Sequence, residues 1–332
     1  MNCLVTGANG HLGFALTRCL KQAGHPVRAS VRDTTDPSRV GHLEELGGIE
    51  IVEADLFRPE TIERAVQEID VVFQVAAAYE FIPRTNAEEI IRTSLEGGMN
   101  VLKAARKAAV SKVVFTSSCV SVGVTPRGGP TLNESHWNQE LKVPYVRAKT
   151  LAERKAWEFA ESEGLHLVTV LPGAIGGPLF KSPTPTIDII QGIRMGSVRF
   201  GAPQTNLPYV DIRDVAKAHL LAGESAAASG RYLICNDHLP SFSELAETMN
   251  GVDPQVPRPA MVLPDALLPL VPIFDRISHR IQGTPRVMTR ELIHSLRGKE
   301  WKLDTGKAKR ELGWRPQVSL RQSLADTLEA LS

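Results

Sequence analysis

Short apolar runs and longer amphipathic stretches alternate along the first 171 residues. The apolar runs lie at 2–6, 27–31, 49–53, 71–75, 112–117 and 165–171, and they are rich in Val and Ile with little polar alternation. Strands covered on both faces read in this way. Between them, apolar residues recur at helical spacing over 11–23, 38–46, 60–67, 86–109 and 146–163. Strands alternating with helices of this length predict right-handed βαβ units, and so an α/β fold built on a Rossmann-type doubly wound parallel sheet. At Pro172-Gly173 the rhythm breaks, and prolines then concentrate as far as Pro272. A smaller, mixed C-terminal region made of short helices, turns and isolated strands such as 232–235 is expected there. The chain therefore divides at 171/172, with segments near 209–222 returning to the first part.

The first apolar run ends in Gly7-x-x-Gly10-x-x-Gly13, and the helical pattern opens at His11. In that strand–turn–helix context the glycines form a dinucleotide-binding fingerprint. Gly7 and Gly10 let the backbone turn tightly beside a pyrophosphate, and Gly13 lets the helix approach its strand. Asn9 braces the turn. The N–H groups near His11 and Leu12 face the phosphates, where the helix dipole favours negative charge.

An acid usually ends the second strand when the ribose carries a free 2′-hydroxyl. Here Val31 and Arg32 occupy that place, with Arg39 following. Two guanidiniums suit a 2′-phosphate, so NADP(H) is the expected cofactor. Asp33 is read as a cap or a solvated charge. Asp55 and Leu56 are placed to touch the adenine edge, although Asp55 also suits a helix N-cap. Ala76 leaves room for a flat ring or ribose, and Pro172 borders the crevice.

Further along stand Thr116-Ser117-Ser118 and, 27 residues beyond Ser118, Tyr145-x-x-x-Lys149. A phenol titrates near about 10 on its own, too high for proton transfer at neutral pH. A lysine one helical turn along the same face stabilises the phenolate and brings it into range. Ser118, Tyr145 and Lys149 are thus the candidate catalytic residues of an enzyme that moves a hydride. Lys149 also holds the nicotinamide ribose. The choice of Ser118 over Ser117 depends on a strand register that the sequence leaves open. Tyr79, Phe81, Trp137, Ile175, Phe180 and Tyr209 are candidates for an apolar or aromatic substrate pocket.

Composition narrows the partners. Among 332 residues, 38 Lys and Arg balance 37 Asp and Glu, giving a formal net charge of +1. No footprint for nucleic acid or an anionic membrane follows. The longest apolar stretch, 260–274, contains Asp265 and three prolines, so no stable membrane insertion is expected. Met1 to Val5 run directly into the glycine motif without room for a leader, and a cytoplasmic location is expected. Cys3, Cys19, Cys119 and Cys235 lack metal-ligand spacing and read as reduced thiols, with no metal.

The motif Thr6-Gly-Ala-Asn-Gly-His-Leu-Gly13, the Thr116-Ser-Ser118 strand end and Tyr145-Val-Arg-Ala-Lys149 resemble extended short-chain dehydrogenases/reductases. Val27-Arg-Ala-Ser-Val-Arg-Asp33, with Arg39 and His42-Leu-Glu-Glu-Leu46, is similar to the NADP-selecting segment of dihydroflavonol 4-reductase-like enzymes. The resemblance implies the same catalytic Ser118, Tyr145 and Lys149. Two places depart from the family pattern: Ser94-Leu-Glu-Gly-Gly98 lacks a frequent asparagine, and Gln74 stands where histidine is frequent. The stretch 119–140 is shorter than in plant flavonoid reductases, so a flavonoid substrate is not implied.

The leading expectation is reversible NADPH-dependent reduction of an aldehyde or ketone, with a small carbonyl or alcohol as the partner. A nucleotide-sugar epimerase or dehydratase holding NAD is the alternative, and Arg194, Arg199 and Arg231 are its candidate diphosphate cations. A non-catalytic NADP sensor is a third. Helices 86–109 and 146–163 are the candidate faces of a homodimer.

Overall fold

In a computed structural model of the chain, residues 1–76, 87–182, 184–282, 293–294 and 296–332 are described. Seven strands form one parallel sheet: β1 (Cys3–Val5), β2 (Val27–Val31), β3 (Glu50–Glu53), β4 (Val71–Gln74), β5 (Lys112–Thr116), β6 (Leu167–Pro172) and β7 (Gly230–Ile234). Their order is β3-β2-β1-β4-β5-β6-β7. The winding reverses between β1 and β4, where an open α/β sheet leaves a crevice beyond its carboxyl ends. Thr6 pins that point. Its hydroxyl donates to Gln74 Oε1 at 2.7 Å and accepts the Val75 and Ala76 N–H groups at 3.0 Å each. Gln74 thus has a definite task at the end of β4.

Helices cover both faces. On one side α1 (His11–Gln22), α2 (Pro37–Glu44) and α8 (Ile212–Glu224) bury Leu12, Leu16, Leu20 and Val215 against Val5, Phe73 and Tyr232. On the other, α3 (Pro59–Ala65), α5 (Gly98–Lys107) and α6 (Pro144–Glu163) set Leu102, Ala105, Ala152 and Ala156 against Leu4, Val72 and Val113. Cys3 and Val5 join one cluster and Leu4 the other, as strand alternation requires. Each fully buried leucine contributes about 1.5–3 kcal/mol.

Two features depart from the sequence pattern. The expected single helix over 86–109 is interrupted: α4 (Ala87–Arg92) passes through a π turn at Thr93–Gly97 before α5 begins. The backbone packs closely here. A Cβ on Gly97 would stand 2.8 Å from the Leu56 side chain, and one on Gly98 would stand 3.2 Å from the Phe115 ring. The second feature is β7, whose partner is β6 in register Gly230–Val168 to Ile234–Pro172.

The remaining pieces, α7 (Pro185–Arg194), α9 (Phe242–Asn250) and the helix Leu320–Ala330, enclose Ile187, Ile190, Phe242, Leu245 and Leu324. The C-terminal segment locks onto α8. Trp314 is buried, its Nε1–H donates to the Asp214 carbonyl at 2.8 Å, and the Asp214 carboxylate accepts the Gln317 and Val318 N–H groups. Among the described residues no helix is long and apolar enough to cross a membrane.

Candidate active site

The turn after β1 is a cradle shaped for close approach. Gly7 has φ +63°, and a Cβ there would stand 3.0 Å from Ala76 Cα. At Gly13 a Cβ would fall 2.1 Å from the Gly7 carbonyl oxygen and 2.8 Å from Ala8 Cα, both backbone atoms that cannot swing away. Gly10 has more room, its nearest atom lying at 3.4 Å. Gly13→Ala is therefore expected to destabilise the fold by about 1–3 kcal/mol and to weaken dinucleotide binding, whereas Gly10→Ala folds normally. Thermal melts of both variants with and without dinucleotide check this; equal melts would refute the steric account.

A cleft of about 680 Å³ opens beside this cradle. Gly7, Asn9, Gly10, His11, Leu12, Gly13, Arg32, Arg39, Leu56, Ala76, Tyr145, Lys149, Pro172 and Ile175 all line it, as do Ser117 and Ser118. Its wall carries four cations, Arg32, Arg39, Lys149 and Lys181, and among the described lining residues no carboxylate. Such a wall suits an anionic ligand, and the cradle fits the phosphates of a dinucleotide. Asp33 does not enter the cleft lining. Its carboxylate accepts both the N–H and the hydroxyl of Thr35, at 2.8 and 2.7 Å, and these bonds hold its pKa below the usual value. Asp36 caps α2 and pairs with Arg39 at 2.9 Å.

At the other end of the cleft the acid–base group assembles. Pro144 opens α6, and Tyr145 and Lys149 follow on its inward face, both buried. Lys149 Nζ donates to the Thr116 carbonyl at 3.4 Å. Burial pulls the Lys149 pKa down to about 8, opposed by the negative charge of Glu153 one turn on. Ser118 caps a 3₁₀ turn over Cys119–Ser121, its Oγ accepting the Val120 N–H. The hydroxyl of Ser117 is engaged elsewhere, donating to Glu153 at 2.7 Å.

Behind this group lies a buried ion pair that sequence reasoning missed. Glu153 is fully buried and accepts from Ser117 on one oxygen, from Thr169 of β6 at 2.9 Å on the other, and from Arg231 of β7 at 2.8 Å. The Arg231 guanidinium also donates to the Glu134 and His136 carbonyls and to Ser121. One signal was available: Glu153 follows Lys149 by four residues, which puts both on one helix face.

A second, smaller cavity of about 110 Å³ adjoins the first and shares Ser118, Tyr145 and Gly173 with it. Val120, Val124, Val143, Ile189, Leu207, Phe242 and Trp301 make its wall largely apolar. Glu140 is the one charged residue among its described lining residues.

Several expected site residues sit elsewhere. Tyr209 is fully buried and its hydroxyl bonds to Ser323 Oγ at 2.7 Å, so its phenol is spent on tying the short strand Tyr209–Asp211 to the C-terminal helix. Trp137 takes the guanidiniums of Arg154 and Arg231 over its ring, 4.8 and 3.7 Å from the ring centre. Phe180 meets the His11 ring edge-on at 5.7 Å. None of the three lines either cavity. Asp55 turns its carboxylate to the Phe57 N–H at 2.9 Å, bracing the entry to α3, while Leu56 lines the cleft. Arg231 is committed to Glu153, and Arg194 reaches the Leu331 carbonyl, so neither cation faces a ligand. Tyr79 and Phe81 lie outside the described residues.

Residues 3–235 match the NAD dependent epimerase/dehydratase family. The chain belongs to that family. Among its relatives is tetraketide alpha-pyrone reductase 2 of Arabidopsis thaliana, 36% identical over 271 residues, 76% of this chain and 83% of that protein. The bifunctional dihydroflavonol 4-reductase/flavanone 4-reductase of Malus domestica is 33% identical over 76% of each chain. The crystal structure of gox2253 superposes with a TM-score of 0.83, 29% identity, and 99% and 97% coverage of the two chains. This member of the epimerase/dehydratase family is thus an extended short-chain dehydrogenase/reductase of the dihydroflavonol 4-reductase-like group, and an oxidoreductase. The nicotinamide dinucleotides bound by its family match the anion-seeking cleft beside Gly7–Gly13.

Proposed function

We propose that this chain reduces an apolar aldehyde or ketone to an alcohol with NADPH, reversibly. The observation that carries the reading is the meeting of two unlike cavities at Ser118 and Tyr145. Among their described lining residues, one is rich in cations and free of acids; the other is largely apolar and free of cations. A charged cofactor and an uncharged substrate would face each other across those two side chains.

Bound NADPH supplies the hydride. Ser118 donates a hydrogen bond to the carbonyl oxygen and holds it within reach of Tyr145. Tyr145 gives its proton to that oxygen as negative charge develops there. The Lys149 ammonium steadies the resulting phenolate and holds the nicotinamide ribose. Arg32 and Arg39 grip the 2′-phosphate, Arg32 being without an ion-pair partner among the described residues. Residues 1–171 form the cofactor-binding part and 172–332 the substrate-binding part, with α8 and β7 returning to the sheet. The relatives named as reductases support this reading. A nucleoside-diphosphate sugar would need cations in the second cavity, where Glu140 stands instead.

The test is to titrate purified protein with NADPH and NADH, then follow the loss of NADPH absorbance against a panel of ketones and aldehydes. Tighter binding of NADPH with turnover of apolar carbonyls is expected. NAD that co-purifies, together with no consumption of added NADPH, would sink the proposal in favour of an epimerase.

A further inference from the structure

Sequence patterns drew attention to Arg32 and Arg39, but the cleft has a cation from the opposite side of the chain. After Gly177 (φ +96°) and Leu179 (φ +74°), the segment Pro178–Ser182 crosses in front of α1. Its path is fixed at three points. The His11 Nε2–H donates to the Pro178 carbonyl at 2.8 Å, the His11 ring meets Phe180 edge-on, and the Gly177 N–H donates to Thr327 Oγ1 at 2.9 Å. Burial holds the His11 pKa down at about 4, so the imidazole is neutral at pH 7 and the donor in its bond to Pro178 is a plain N–H. A non-glycine residue in the left-handed region costs about 1–2 kcal/mol, so Leu179 takes this conformation only because the surrounding contacts hold the crossing in place.

The crossing puts Lys181 and Ser182 on the wall of the larger cleft, which Gly10–Gly13, Arg32 and Arg39 also line. The Lys181 charge also bears on His42 of α2, where, after burial, it is the next cause lowering the imidazole's pKa. Lys181 therefore stands near the helix that carries Arg39. Among the described residues no carboxylate lies within ion-pair distance of it, whereas Lys299, Lys307 and Lys309 each pair with an acid. An ammonium without an ion-pair partner among the described residues, in a cleft that holds the glycine cradle and no acids among its described lining residues, is complementary to phosphate.

We infer that Lys181 is a third phosphate-binding cation of the dinucleotide site, reaching across the cleft from the substrate-binding part of the chain. The inference rests on the cofactor reading proposed above. The phosphate it grips is either the diphosphate bridge near α1 or the ribose 2′-phosphate near α2, and the two are separable by the nucleotide used.

The experiment titrates the full-length protein and its Lys181→Met and Lys181→Arg variants with NADPH and with NADH, following intrinsic tryptophan fluorescence. Lys181 is exposed, so the substitutions leave the core untouched. Lys181→Met is expected to raise the Kd for NADPH about tenfold or more, the usual worth of a charge-assisted hydrogen bond, with Lys181→Arg close to wild type. An equal loss for NADH assigns the grip to the diphosphate; a loss confined to NADPH assigns it to the 2′-phosphate. Unchanged affinity for both nucleotides in a Lys181→Met protein, when the wild type binds NADPH, overturns the inference and leaves the cofactor reading standing. A wild type that binds neither nucleotide overturns both.

Discussion

Tyr145→Phe is expected to lower kcat by about 10²–10⁴-fold, the usual contribution of a positioned general acid, and to leave NADPH affinity close to wild type. The phenyl ring keeps the volume that packs Tyr145 against Cys119, Val120 and Leu171, so the fold should be indifferent to the change. Only the hydroxyl is lost, and with it the proton delivered to the carbonyl oxygen. Ser118 and the bound nicotinamide remain, which leaves some residual turnover. Steady-state kinetics with the best carbonyl of the panel, paired with a fluorescence titration of NADPH, measure the two quantities separately. A variant with undiminished kcat would remove Tyr145 from the chemistry, and one with equally weakened cofactor binding would make its role structural.

The second large effect is thermodynamic. Arg231 and Glu153 have side chains exposed to 8% and 0%, and their ion pair at 2.8 Å is closed to solvent. Taking away one partner strands a charge in the interior. Arg231→Met should therefore cost about 3–5 kcal/mol, lowering Tm by on the order of 10 °C in a chain of this size. Removing both charges at once should recover most of that loss, because Arg231→Met/Glu153→Gln leaves no bare carboxylate. Differential scanning calorimetry of the single and double variants forms the cycle. A single-variant loss below about 1 kcal/mol, the level of an exposed pair, would mean that water reaches Glu153.

The parallel sheet was legible because its strands are covered on both faces, and such strands announce themselves as unbroken runs of Val and Ile. The glycine cradle was legible for a related reason: Gly7 answers to its own left-handed φ, and Gly13 to the backbone of Gly7 and Ala8. What local pattern could not carry was long-range pairing. Nothing near Arg231 says that its partner is Glu153, 78 positions earlier, so its charge was read as free for a diphosphate. The aromatic residues misled in the same way. Trp137, Phe180 and Tyr209 have the character of pocket residues, but the first takes two arginines over its ring, the second braces His11, and the third spends its hydroxyl on Ser323. Lys181 escaped notice because only the crossing of Pro178–Ser182 brings it to the cleft lined by Arg32 and Arg39, far earlier in the chain.

The place of β7 at the end of the sheet bears on how this molecule can be divided. Cutting the chain at residue 171, where composition changes, would strip β7 from β6 and turn an interior strand into a border. The backbone N–H and C=O groups that β6 now turns toward β7, along the register Val168–Gly230 to Pro172–Ile234, would face water. A long, flat, Val-rich edge of that kind is a template for sticking to another copy. Any excised nucleotide-binding fragment should extend through Ile234 if it is to stay monodisperse, and residues 172–229 travel with it as the cost of a sealed edge.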